Sequence, residues 1–367
     1  MKVLSVTLIT LLFFLPAALG AADIQTAGKI FLLGVGARSD GLGGSGALLG
    51  EAAAGLLNPA AQTLTGDLAG SIYSSPRPYF TRGYDFLVIT AAARTEFGYI
   101  GASYMLRHGV EGSDRPPEEG SALLMAGRPW RNLALGLGLK ILTAQKANFI
   151  PINETGSKTY KMAFDIGVVY SGLLPQTTSG RTGDQSDNLR ARFARPMRRG
   201  LTVGVAFQNL GGRVEFQDAI DIEMLPQTFR ADLRWLSFEN QWCTITAVGE
   251  LQKLLVKRNL NGGYETATTA FFGAWGGGDR EGGWTSRLGF EFNAYGLLSA
   301  RIGWSADHGE SRSFNHVGLG LGPEWLRANF AWVHEPGGAF SWQNGLRLDA
   351  SAHLSYEQIR GWMELQD

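Results

Sequence analysis

Beyond residue 67 the chain alternates apolar and polar residues with period two, in short segments that suit strands with two unlike faces. Leu346, Leu348, Ala350, Ala352, Leu354 and Tyr356 share one face, with Arg347, Asp349, Ser351, His353 and Ser355 on the other. Leu326, Ala328, Phe330 and Trp332 oppose Arg327 and Asn329; Leu298, Ala300, Ile302 and Trp304 oppose Arg301 and Gly303. Leu288, Phe290 and Phe292 oppose Arg287, Gly289 and Glu291; Phe229, Ala231, Leu233 and Trp235 oppose Arg230, Asp232 and Arg234. A soluble sandwich and a membrane barrel both produce this pattern, so alternation alone does not choose between them.

Three features select the barrel. Gly136 and Gly138, and again Gly318, Gly320 and Gly322, fall on the polar face and leave room inside for a packed segment. Trp130, Trp235, Trp284, Trp304 and Trp325 stand near predicted strand ends, where a membrane girdle would be. The spacers are of two kinds: tight turns around Glu96, Asn240, Asn293 to Gly296 and Gly322 to Glu324, and longer loops at Gly109 to Glu119, Lys146 to Ser157, Asp307 to Ser313 and Glu335 to Ser341. Counting segments predicts about 14 or 15 antiparallel strands, of which an even number is expected. The long-short order breaks between Gln241 and Trp284, which suggests a strand merged or split there. The longest spacer, Pro175 to Gly200, falls where parity predicts a tight periplasmic turn. It carries Arg190, Arg192, Arg195, Arg198 and Arg199, as a disordered insertion or as a contact for acidic lipid headgroups or a periplasmic partner.

The stretch Ala27–Leu64 does not alternate. It is too rich in glycine and other small residues for an ordinary helix or strand, since each interior glycine costs about 0.5–1 kcal/mol of order. Gly41, Gly43, Gly44 and Gly46 permit tight turns flat against a wall, and Asn58-Pro59 followed by Ala60 sets a turn toward the first strand. The expected organisation is an N-terminal plug, residues 21–66, inside an all-β transmembrane barrel, residues 67–367. The luminal charges Arg230, Asp232, Arg234, Arg287, Glu291, Arg301, Arg327, Arg347 and Asp349 are then expected either to brace plug against wall or to act as a gate.

Ahead of the plug, Met1-Lys2, an apolar run Val3–Leu15 and small residues to Ala22 read as a signal peptide, residues 1–20, cleaved after Gly20. No cysteine follows the cleavage point, which argues against a lipoprotein, and no other apolar run could cross a bilayer as a helix. Glycine is 50 of 367 residues, about twice the usual share, which suits a wall that must accept a packed segment. Lys plus Arg equal Asp plus Glu at 33 each, so nothing points to a nucleic-acid partner. Gly41 to Gly46 matches G-x-G-x-x-G without the strand, helix and acidic residue of a dinucleotide site. The five histidines lack metal-ligand spacing, and no cofactor is expected. His353 between Ser351 and Ser355 would need a serine in hydrogen-bond reach and a third orienting group to be catalytic; same-face neighbours on a strand point side by side, which reads as a wet lumen and no enzyme. The one cysteine, Cys243, has no internal disulfide partner.

Several motifs carry a family resemblance. Ala27-Gly28 with Phe31-Leu32, the run Gly34–Arg38, the Leu42-Gly43-Gly44 turn and Asn58-Pro59-Ala60 resemble the N-terminal signature of the PorV/PorQ family, within the FadL-like group of outer-membrane barrels. Ala134–Leu142, Phe164–Tyr170, Leu201–Gly211, Leu225-Pro226 and Arg287–Phe292 resemble its recurrent strand motifs. The resemblance implies a barrel of about 14 strands in the outer membrane of a Gram-negative-type bacterium, with a plugged lumen. PorV-like members receive secreted cargo proteins for type IX secretion machinery, whereas the FadL branch passes hydrophobic molecules such as fatty acids. The loops Gly109–Gly120 and Gly211–Met224 are mixed acidic and sparsely apolar, a poor greasy entrance. That favours the secretion role, with passive uptake of a hydrophobic ligand as the alternative and a purely structural barrel as a third. The chain departs from the family by running past Trp362 to Asp367 instead of ending on an aromatic residue.

Overall fold

The computed structural model describes residues 29–32, 35–76, 84–109, 119–146, 157–173, 200–215, 222–259, 263–276, 281–309, 312–323, 325–335, 345–356 and 358. The leader, the arginines of Pro175–Gly200 and Trp362 lie outside these residues.

Fourteen strands close into one antiparallel barrel. They are β1 (Leu68–Pro76), β2 (Tyr84–Thr95), β3 (Gly98–Gly109), β4 (Glu119–Trp130), β5 (Leu133–Lys146), β6 (Ser157–Ser171), β7 (Leu201–Gly211), β10 (Thr228–Glu239), β11 (Cys243–Leu254), β12 (Trp284–Ala294), β13 (Leu298–Asp307), β14 (Arg312–Leu321), β15 (Leu326–His334) and β16 (Leu346–Leu354). The connection from β7 to β10 carries a separate two-stranded hairpin, β8 (Arg213–Glu215) with β9 (Ile222–Met224). Each wall strand pairs with its sequence neighbour, and β1 closes on β16 from Leu68↔Leu354 to Ser74↔Leu348. Closure leaves no unpaired sheet edge, the condition a strand protein must meet inside a bilayer.

Most connections alternate long and short, which gives the barrel a long-loop end and a short-turn end; the β6–β7 connection is long at the short-turn end, and the β13–β14 connection is no longer than the β14–β15 turn. The irregularity between Gln241 and Trp284 was not a miscounted strand. β11 runs directly into β12 through residues 255–283, which form a long loop holding a short helix (Ala267–Gly273). The Pro175–Gly200 spacer joins β6 to β7 at the short-turn end, the place parity assigns it. Past β16, Tyr356 is tied to the start of the barrel: its backbone N–H donates to Asp67 and its hydroxyl to the Arg94 carbonyl, so the last wall strand ends at Leu354.

The two faces separate as the alternation requires. Leu137 on β5 is 63% exposed on the outer surface, and Ile302 and Leu319 are exposed likewise. Their in-strand neighbours Gly136, Arg301 and Gly318 are buried on the luminal side. Trp130 and Trp325 lie at the short-turn end and Trp284 and Trp304 toward the long-loop end, with Trp235 part-way along β10. Trp242 and Tyr295 meet edge-on at 5.6 Å beside the short turns. Cys243 opens β11, half-buried and without a disulfide.

Candidate functional site

The N-terminal segment reaches the luminal face in two places. The first begins with a single helical turn, α1 (Ala37–Asp40), followed by a reversal in which Gly41, Leu42 and Gly44 donate backbone hydrogen bonds to Ala37, Ser39 and Ser39 at 2.9 Å. Gly43 (φ +79°) and Gly44 (φ +85°) take the left-handed conformation that side chains disfavour. This turn lies against Gly289, Gly303 and Gly318 on β12, β13 and β14. A Cβ on Gly289 would strike Leu42, one on Gly303 would strike Gly43, and one on Gly318 would stand 3.1 Å from the Gly41 Cα. Gly46 serves the segment itself, since a Cβ there would meet Ser39 and Leu57.

The second place is on the opposite side of the barrel. Asn58 caps a 3-10 turn (Pro59–Leu64), its side-chain oxygen accepting from the Ala60 N–H at 3.0 Å while its amide donates to the Val168 and Val205 carbonyls at 3.3 and 3.4 Å. Its seat is again glycine. Cβ atoms on Gly136 and Gly167 would collide with Pro59-Ala60 and Asn58 respectively, and one on Gly204 would lie 3.1 Å from the Asn58 amide. Alternating glycines on a luminal face therefore work by letting another backbone approach the strand.

Arg38, Asp40 and Glu51, charges of the N-terminal segment, gather on the first side. Glu291 accepts from Arg38 through Nε (2.8 Å) and Nη2 (2.6 Å), a two-point ion pair, and also from Arg301 Nε at 2.6 Å. Arg38 Nη1 reaches Glu51 at 3.2 Å, and its backbone N–H donates to Asp349, whose other oxygen accepts from Asn329 at 2.6 Å. Asp40 accepts from the Tyr73 hydroxyl at 2.6 Å and lies 3.8 Å from Arg347 Nε. Burial raises the Asp40 pKa, and the Arg347 guanidinium pulls it back only in part. A second group centres on Glu250, which accepts from Arg230 at 2.5 Å and pairs with Arg287; Arg287 also donates to Gln252 at 2.8 Å. Asp232 lies across the strand pair from Glu250, buried. Arg234 donates to the Leu48 carbonyl at 3.1 Å and to Thr202, which ties β10 to the N-terminal segment. Arg327 bonds Ser299 and the Gly296 carbonyl, inside the wall itself.

The partners of these wall charges, Arg38, Asp40, Glu51 and Glu250, were not among the residues expected to carry the site. A signal was there: in Ala27–Leu64 only Lys29, Arg38, Asp40 and Glu51 are charged, and charges in so apolar a stretch must find partners when buried. Lys140 and Asp165, inside the strand motifs, also form a buried pair at 2.7 Å, with Asn209 accepting from Lys140 at 2.7 Å. Ser305 and His316 are hydrogen-bonded at 2.9 Å between β13 and β14, and Ser286 of β12 and His308, just past β13, at the same distance. Among the described residues no three His, Cys, Asp or Glu side chains gather as a metal site.

The luminal face of β2 to β5 is of another kind. Phe86, Val88, Met105, Leu123, Met125 and Leu142 belong to one buried apolar cluster, and the cluster includes Phe31 of the N-terminal segment. Residues Lys29–Leu32 touch β3 and β4, and the Lys140 ammonium stands 4.9 Å from the Phe31 ring centre. The apolar residues sought in the loops thus lie inside the barrel, packed against Phe31, Val35, Leu56 and Leu57 of the N-terminal segment.

No protein-family model matches the chain, and no curated protein matches it. Among solved structures it is similar to the CymD monoaromatic hydrocarbon channel, with a TM-score of 0.53 at 12% identity over 89% of this chain and 99% of that one. It is also similar to the toluene transporter TodX of P. putida, with a TM-score of 0.52 at 11% identity over 88% and 99% of the two chains. At such identities the likeness is one of fold.

Proposed function

We propose that this protein is an outer-membrane channel for small apolar molecules, with residues 21–66 as a plug inside the barrel and residues 1–20 removed as a signal peptide. The observation that carries this reading is the apolar luminal lining of β2 to β5, which packs against Phe31, Val35, Leu56 and Leu57 of the N-terminal segment and would be bared if that segment shifted. A water-filled pore has a polar interior, and apolar side chains turned inward are useful when they meet an apolar guest. The apolar outer face, with its aromatic residues toward both ends, supports placement in a bilayer. The similar solved structures named as a hydrocarbon channel and a toluene transporter support the same class of cargo.

The PorV/PorQ resemblance suggests a different role, holding secreted proteins at the cell surface. That reading leaned on the sparsely apolar loops, and the apolar surface inside the barrel removes the reason to prefer it. Mass spectrometry of the native protein, extracted in mild detergent, separates the two. Bound apolar small molecules without a stoichiometric protein partner are expected. Stoichiometric secreted proteins sharing one C-terminal domain, with no apolar molecule bound, would overturn the channel reading.

A further inference from the structure

Of the described part of the β11–β12 loop, Val256 and Tyr264 pack with the β8–β9 hairpin, and the stretch from Ala267 to Gly276 lies on the outer wall. Four outward-facing residues stand in register across four strands: Phe207 on β7, Phe229 on β10, Lys253 on β11 and Trp284 on β12. All four are covered in part or in full. Lys253 is fully buried, its ammonium donating to the Gly276 and Gly282 carbonyls at 2.6 and 2.5 Å and lying 5.4 Å from the Trp284 ring centre. Lys257 adds bonds to the Gly273 carbonyl and Glu281, both 3.1 Å, so the base of the loop is laced against the wall.

The loop helix, α2 (Ala267–Gly273), starts at Thr266, whose hydroxyl accepts from the Thr269 N–H. Ala270 within it and Ala274 just past its end are both wholly inaccessible. Phe271 and Trp275, one turn apart, continue the row on the wall. Phe271 lies 5.2 Å from Phe207, and Trp275 lies 5.1 Å from Phe229 and 6.4 Å from Phe207, ring centre to ring centre. Phe272 meets the Phe271 ring edge-on at 5.1 Å and is 75% exposed; Trp275 is 37% exposed. The sequence of α2, ATTAFFG, has no charge. The patch runs on into the outward faces of β7 and β10, where Val205 is exposed.

From this we infer that α2 with Trp275 is a membrane anchor, seated at the boundary between headgroups and acyl chains of the leaflet on the long-loop side. The occupant of the patch is lipid, because the patch continues the lipid-facing register of the wall without a step. An uncharged aromatic turn on such a surface gains free energy when its rings leave water, and a tryptophan beside a wet loop suits the interface. The inference rests on the proposed membrane location of the barrel.

The test uses the full chain with Cys243→Ala and a single new thiol, Phe272→Cys, labelled with an environment-sensitive fluorophore and folded into phosphatidylcholine vesicles. Spin-labelled lipids carry the quencher either near the headgroup or near the acyl end. Leu137→Cys, in the middle of the outer wall, is the control. The expected result is at least about twofold stronger quenching of the residue 272 label by the shallow quencher than by the deep one, with weak quenching by aqueous iodide. Strong iodide quenching at 272 with lipid quenching retained at 137 would overturn the anchor and leave the membrane barrel standing. Loss of lipid quenching at both positions would overturn the membrane location itself. Protection from iodide without lipid quenching at 272, with energy transfer between labelled copies, would replace lipid by a second copy of the chain and overturn the inference.

Discussion

The N-terminal segment meets the barrel on two sides by two different physical means. On β12 to β16 the contact is ionic and many-centred: Arg38, Asp40 and Glu51 enter a network with Glu291, Arg301, Arg347 and Asp349. On β3 to β7 it is close packing with uncharged polar ties: Asn58-Pro59-Ala60 sits against Gly136, Gly167 and Gly204, and Gln208 donates to the Leu56 carbonyl at 2.6 Å. Buried ion pairs give orientation at a high desolvation cost, so breaking one partner is expensive and replacing the whole set by apolar groups is cheap. Glycine seats have the opposite character, tolerating no added atom and requiring no particular charge. The difference teaches that the first side can sense ionic change and the second only shape.

The largest effect is expected from Glu291→Gln. It leaves Arg38 and Arg301 buried beside a neutral amide, a loss on the order of 3–5 kcal/mol, read as a shift of the urea-unfolding midpoint of the protein folded in vesicles. A loss under about 1 kcal/mol would show that water reaches these charges, and the contrast between the two sides would fail. Next is Gly136→Val, which places a branched side chain where the Pro59-Ala60 backbone runs and costs about 1–3 kcal/mol of docking. The barrel should still fold, and single-channel conductance in planar bilayers should rise as the segment moves off its seat. Unchanged conductance would mean that this side does not hold the segment in place.

A smaller effect is expected from Asn58→Ala, which removes a helix cap and the hydrogen bonds to Val168 and Val205. Its cost of about 0.5–2 kcal/mol should speed thiol labelling of a buried Ser45→Cys reporter, in a Cys243→Ala background, roughly 2- to 30-fold. The smallest concerns pH. The folded-state pKa of Asp40 lies above its ordinary 3.8, so the docked segment holds this proton more tightly than the free chain does. The contribution of Asp40 to docking is therefore fully present below 3.8 and declines as pH rises through the raised value. Ser45→Cys labelling, normalised to the unfolded protein, should be slower below the raised value than above it, and Asp40→Asn should flatten the difference. Labelling that speeds up on acidification would reverse the sign and place the response in another group.

Burial alternates along the wall strands because face assignment is local. Arg347, Asp349, Ser351 and His353 are luminal for the same reason that their neighbours Leu346, Leu348, Ala350 and Ala352 are not. The loop arrangement failed locally at residues 255–283, where an uncharged helix and a laced-down lysine look like strand residues when only periodicity is counted. The apolar interior was missed for a related reason. Phe86, Val88, Met105, Leu123 and Leu142 fall on the face that elsewhere carries arginines, and an apolar residue on both faces reads as an irregular strand.

Alternation with period two, glycine on the polar face and paired long and short spacers determined the barrel, because each follows from one strand and its two neighbours. Tertiary structure decided which charges meet. Glu250 binds Arg230 and Arg287 from the strands on either side of it, and Arg38 reaches Glu291 from 253 residues away, contacts set by the stagger of fourteen strands around a closed ring. It also decided where the β11–β12 loop lies, since nothing within residues 255–283 specifies that Phe271 and Trp275 turn outward; the receiving rings, Phe207 and Phe229, belong to other strands.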